Sequence, residues 1–96
     1  MPKLEFHCNE SRQLFGKEFE EVHKWLDAFA GTPEYGFRHR HKRHHLTGIE
    51  EAARLFGDQA ALAARQHIIA DLQEEGWTES DPFPRDECHY RQMGLY

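Results

Sequence analysis

The sequence predicts an all-α domain, a small three- to four-helix bundle with an irregular N-terminal arm and an irregular C-terminal wrap. Apolar residues recur at helical steps from Phe15 to Phe29, strong helix formers run from Gln59 to Glu75, and turn residues at Gly31 to Pro33, Gly57 and Gly76 divide these stretches. At 96 residues the chain is one domain, residues 1–96, with the core expected over 11–76 and an irregular segment over 77–96.

Met1 to Cys8 alternates Leu4, Phe6 and Cys8 against Glu5 and His7, a pattern that suits a short strand or an extended arm. From Ser11 the period changes. Phe15, Phe19, Val22, Leu26 and Phe29 fall at steps of four, three, four and three, on one stripe of a helix near residues 12–30 that Gly31, Thr32 and Pro33 stop. A second helix is expected from about Glu34–Phe37 to Phe56, closed by Gly57 and facing inward through Ile49, Ala52, Ala53 and Phe56. Gly48 within it should allow a neighbouring helix to approach closely. Asp58 is the expected N-cap of a third helix that runs to Gly76 and buries Ala61, Ala64, Ile68 and Leu72. The last twenty residues carry Pro82, Pro84 and Gly94 without a strong period, and Trp77, Phe83 and Tyr90 are available to pin them down.

The formal net charge of −5 argues against a general nucleic-acid binder, because phosphate contacts come from a broadly basic face. No apolar run approaches the ~20 residues of a membrane span and no signal-peptide core follows Met1, so the expected compartment is the cytoplasm. Cys8 and Cys88 are the only cysteines; unlinked thiols are the expectation, with a disulfide or a zinc site with His7 and His89 as alternatives.

Against this acidic background Phe37 to His45, FRHRHKRHH, holds three Arg, one Lys and four His in the eight positions after Phe37. Neutral imidazole is the commonest metal ligand. Each expected helix carries a histidine with a second potential ligand four residues on: His23 with Asp27, His41 with His45, and His67 with Asp71. Such pairs project from one face a turn apart, and three faces can converge inside a bundle. Mixed imidazole and carboxylate donors suit a divalent Zn, Mn or Fe ion. The same pairs also suit hydrogen-bonded structural roles, and the basic run also suits a solvated face that meets phosphate or nucleic acid.

The stretches VHKWLD at Val22 to Asp27, FRHRHKRHHLTGI at Phe37 to Ile49, the Leu55, Phe56, Gly57 triplet and QHIIADL at Gln66 to Leu72 carry a resemblance, in their order, over residues 11–75. The chain resembles a small family of uncharacterised prokaryotic and phage proteins, an all-helical domain of unknown function. The pattern falls on Ser11, Phe15, Gly16, His23, Trp25, Asp27, Arg38, His39, Arg40, Arg43, His44, His45, Gly48, Ile49, Phe56, Gly57, His67 and Asp71. Position 41 is usually apolar in similar proteins, so the resemblance favours His39, His44 and His45 over His41. Relatives often carry a longer segment before the QHI-like stretch and a different tail.

The resulting expectation is a divalent-metal site built from His23, Asp27, His39, His44, His45, His67 and Asp71, with Arg38, Arg40 and Arg43 available to an anion. An enzymatic role would be metal-assisted hydrolysis of a phosphoester. Its ligand types resemble those of HD-type phosphohydrolases, without their adjacent His-Asp signature. The competing expectation is a noncatalytic module whose basic run binds nucleic acid or an acidic partner. A homo-oligomer joined through Trp25, Trp77 or Tyr90 is a further possibility.

Overall fold

The computed structural model describes residues 4–96, and the first three positions of the expected arm lie outside the described residues. Among the described residues the chain forms helices α1 (Leu4–Phe15), α2 (Glu20–Leu26), α3 (Arg40–Arg43), α4 (Leu46–Phe56), α5 (Asp58–Glu74) and α6 (Glu87–Gln92) and no strand. The all-α expectation holds, with more and shorter helices than the spacing predicts. None of them is long and apolar enough to cross a membrane.

The expected N-terminal arm is α1 instead. Its buried residues are His7, Cys8 and Ser11, so its inward face is polar and leaves no apolar period to read. Gly16, at φ 81°, supplies the left-handed turn that ends α1, and its N–H donates to the Arg12 carbonyl at 3.0 Å. The expected 12–30 helix is therefore cut in two. Phe19 takes the left-handed conformation at φ 52° just before α2, and only Val22 and Leu26 of the apolar stripe are buried.

The expected second helix is also broken. His44 (φ −85°, ψ 60°) and the extended His45 (φ −159°, ψ 176°) turn the chain between α3 and α4. His45 caps α4, accepting at Nδ1 from the Gly48 N–H at 3.1 Å. Gly48 is required by this corner and not by a neighbouring helix, because a Cβ there would collide with the Arg43 carbonyl. The exposed N–H groups of Leu46 and Thr47 are met by the carbonyls of Pro84 and Arg85, each at 3.0 Å, which ties the C-terminal wrap to the start of α4.

Gly57, at φ 101°, separates α4 from α5, so Asp58 is the first residue of α5 and its acidic first turn rather than its cap. α5 packs most extensively on α4, and α2 contacts both. The apolar core joins Val22, Leu26, Ala52, Ala60, Ala64, Ile68, Leu72 and Tyr90. Its alanines on α4 and α5 let the two backbones close on each other. Ala60, not Ala61, is the buried residue at the start of α5. α6, capped by Asp86, which accepts from the His89 N–H at 2.8 Å, seats Tyr90 against the core, while the Trp77 and Phe83 rings meet edge-on.

Candidate metal centre

The second buried region is made of histidines and carboxylates. α5 projects His67 and Asp71 one turn apart, and α2 carries His23 with Asp27 at its C-terminal end. The α3–α4 corner turns His44 inward, and His39 stands immediately before α3. His23, His39, His44, His67 and Asp71 are all buried, whereas Asp27 is only partly so.

Donor atoms of Asp27, His44, His67 and Asp71 all lie within 4.8 Å of one another. Asp27 Oδ1 is 3.3 Å from His39 Nε2, 3.5 Å from His44 Nε2 and 3.4 Å from His67 Nε2. Asp71 Oδ2 is 2.9 Å from His44 Nε2 and 3.2 Å from His67 Nε2. Neighbouring donors around one ion at ~2.1 Å stand ~3.0–3.4 Å apart, which is the spacing of this group. Asp27 Oδ1, His39 Nε2 and His67 Nε2 are buried and none of them makes a hydrogen bond. Buried polar atoms that converge without bonding one another are rare in folded proteins and call for a further partner, a water or an ion.

Burial and neighbouring charges set the protonation of these groups. Burial works against ionisation of Asp27 and Asp71. The nearby imidazoles of His39 and His67 for the first, and of His44, His67 and His7 for the second, outweigh it and hold both carboxyls well below the usual range. Burial drives His44 down to about 4, only partly offset by Asp71, and drives His23 down to about 3, helped by the neighbouring His67 and His7. Burial opposes the charged form of His67 as well, but Asp27 and Asp71 overcome it and raise its pKa. Anionic carboxylates and the neutral His44 imidazole are in the protonation states that bind a metal, whereas His67 would give up a proton to bind one.

His7 and Ser11 join this cluster although the sequence offers His7 only for a site with the cysteines and Ser11 only as part of the family-like pattern. The His7 ring stacks on His67 with 3.6 Å between centres, its Nε2 lies 3.4 Å from Asp71 Oδ1, and neither of its ring nitrogens makes a hydrogen bond. Ser11 Oγ is 2.7 Å from His23 Nε2. Their i,i+4 spacing on α1 is the signal used for the other helices, hidden here because the segment reads as an extended arm.

Other residues of the basic run face elsewhere. His45 has both ring nitrogens occupied, by the Gly48 N–H and by the Lys42 carbonyl at 3.0 Å. His41 bonds the Leu95 carbonyl at 3.0 Å and accepts from Arg91 Nε at 3.4 Å. Arg40 meets carboxylates of the chain itself, Glu75 at 2.9 Å, Glu74 at 3.2 Å and Asp71 at 3.5 Å. Arg43 lies over the Trp25 ring at 4.0 Å and donates to the Trp25 carbonyl at 2.7 Å. Arg38 is exposed, 5.3 Å above the Tyr96 ring. Cys8 is buried, Cys88 is exposed, and both are free thiols.

No curated protein and no solved structure matches the chain significantly. A family model does match, over residues 3–81, which takes in every donor of the buried cluster. The chain belongs to the family described as Domain of unknown function (DUF6915).

Proposed function

We propose that this domain binds a divalent transition-metal ion, Zn, Mn or Fe, through Asp27, His44, His67 and Asp71, with His39 as a fifth donor. The observation that supports this most is the convergence of buried donor atoms at the spacing of neighbouring ligands, with Asp27 Oδ1, His39 Nε2 and His67 Nε2 making no hydrogen bond. We further propose that the ion serves metal-assisted hydrolysis of a phosphoester, acidifying a bound water on the Asp27 side, where the carboxylate reaches the surface. Arg38, exposed and one residue before His39 in the chain, is the cation we assign to a phosphate. Nucleic-acid contact through the basic run has less support, because of its cations only Arg38 is exposed, Lys42 and Arg43 being partly buried and Arg40 buried.

Untagged protein loaded with Zn, Mn or Fe and freed of excess ion is expected to retain one equivalent by elemental analysis. His67→Ala and Asp71→Asn are expected to retain none while keeping their helical circular dichroism. A folded wild type that retains no ion overturns the assignment. Loaded protein is also expected to cleave bis(p-nitrophenyl) phosphate in a chelator-sensitive manner. Stoichiometric ion without turnover removes the hydrolase reading and leaves metal binding standing.

A further inference from the structure

His23 lies against the candidate ligands, and the geometry assigns it a different task. Its Nδ1 is 2.9 Å from His67 Nδ1, and the two rings are nearly coplanar in direction, 17° apart, with centres 5.1 Å apart. That centre-to-centre distance is what the N···N separation and two ring radii make when laid end to end. The two nitrogens therefore point at each other, as in an N–H···N hydrogen bond, and an ion at coordination distance from both would lie far off the line of either lone pair. On the other side of the ring, His23 Nε2 is 2.7 Å from Ser11 Oγ. His23 and Ser11 are each 1% exposed, so neither end of this chain is satisfied by solvent.

We propose that Ser11 and His23 are positioning residues that hold the His67 ring with Nε2 turned towards Asp27 and Asp71. The inference rests on the metal-site reading in one respect: an ion on His67 Nε2 requires the ring hydrogen on Nδ1. That hydrogen is donated to His23 Nδ1, which leaves the His23 hydrogen on Nε2 to be donated to Ser11 Oγ. Each hydrogen in the chain then points away from the ion. A histidine ligand is commonly oriented by a partner at its other nitrogen. Here the partner is a second histidine, oriented in turn by a hydroxyl from α1. In the three-histidine group His7, His23 and His67, whose donor atoms also lie within 4.8 Å of one another, His23 and His67 are thereby joined by a hydrogen bond rather than by a second ion, and His7 only stacks on His67.

Nitrogen-15 histidine spectra of the full chain, before and after addition of Zn, test this. His23 is expected to be hydrogenated at Nε2 and bare at Nδ1, with a coupling carried across the hydrogen bond to His67 Nδ1. The coupling disappears in His23→Gln, and Ser11→Ala mixes the two forms of the His23 ring. With Zn, both variants are expected to keep a stoichiometry of one ion and the wild-type Co absorption spectrum while affinity falls about 10- to 100-fold in His23→Gln and less in Ser11→Ala. Ser11→Thr restores the wild-type value. A changed Co spectrum or stoichiometry in His23→Gln makes His23 a ligand and overturns the proposal, as does unchanged affinity in a folded His23→Gln. If the wild type binds no ion, the metal-site reading fails, and the coupling and the His23 hydrogen position still decide whether the relay exists.

Discussion

α5 buries two faces that are alike in spacing and opposite in chemistry. Ala60, Ala64, Ile68 and Leu72 descend one side at steps of four into the apolar core. Ala63, His67 and Asp71 descend the other at the same step into the histidine cluster. The apolar face gains from every atom removed from water and is not tied to one arrangement of partners. The polar face depends on partners, because a buried charge or imidazole left alone costs more than the pair contributes. Damage to the first face should therefore be graded, and damage to the second abrupt.

The sharpest break between the faces is Asp71→Ala. It removes the carboxylate that His44, His67, His7 and Arg40 share. The expected loss is about 3–5 kcal/mol in urea unfolding, together with all metal uptake. A loss no greater than that of a surface substitution would mean that the cluster is not a mutually dependent unit.

Acid should separate the faces next. In the unfolded chain His23 and His44 take up protons near pH 6.5, but in the fold only near 3 and 4. Below about 6.5 the unfolded state thus binds more protons, and stability falls with pH by at most about 1.4 kcal/mol per pH unit for each histidine. The depressed Asp27 and Asp71 act in the same sense further down, their contribution being complete above the ordinary carboxylate value of 3.8 and lost as pH falls below it. His67, raised, contributes stability that is present below 6.5 and lost as pH rises past its folded value. Urea midpoints measured from pH 7 to 4 should fall, and a flat profile would contradict the neutral state of the two buried histidines.

The smallest effect belongs to the apolar face. Ile68→Val should cost about 1 kcal/mol in thermal unfolding and leave metal stoichiometry untouched. A change in metal uptake would show that the two faces are coupled through α5.

The contrast also explains what the sequence discloses. α5 was legible almost whole, because helix formers fill it and Gly57 and Gly76 bound it. His23 with Asp27 and His67 with Asp71 were legible as pairs, since spacing alone puts each pair on one face. The α3–α4 corner was not, because an unbroken helix also fits the spacing of His44 to Phe56, and the turn depends on Gly48 meeting the Arg43 carbonyl and on Pro84 and Arg85 closing the start of α4. α1 was missed for the opposite reason: its inward residues are His7, Cys8 and Ser11, and apolar periodicity cannot detect a face built from polar atoms. α6 is held by Asp86 and Tyr90 in a segment whose prolines read as loop.

His44 and His45 are neighbours with unrelated duties, one turned into the cluster and the other closing the first turn of α4. The corner thus works as a reading frame. Losing or gaining a single residue between Arg40 and Leu46 would hand the inward place to a different side chain and strip the helix of its cap in the same step. Substitution within the run is a local event, whereas a change in its length rewrites both ends at once.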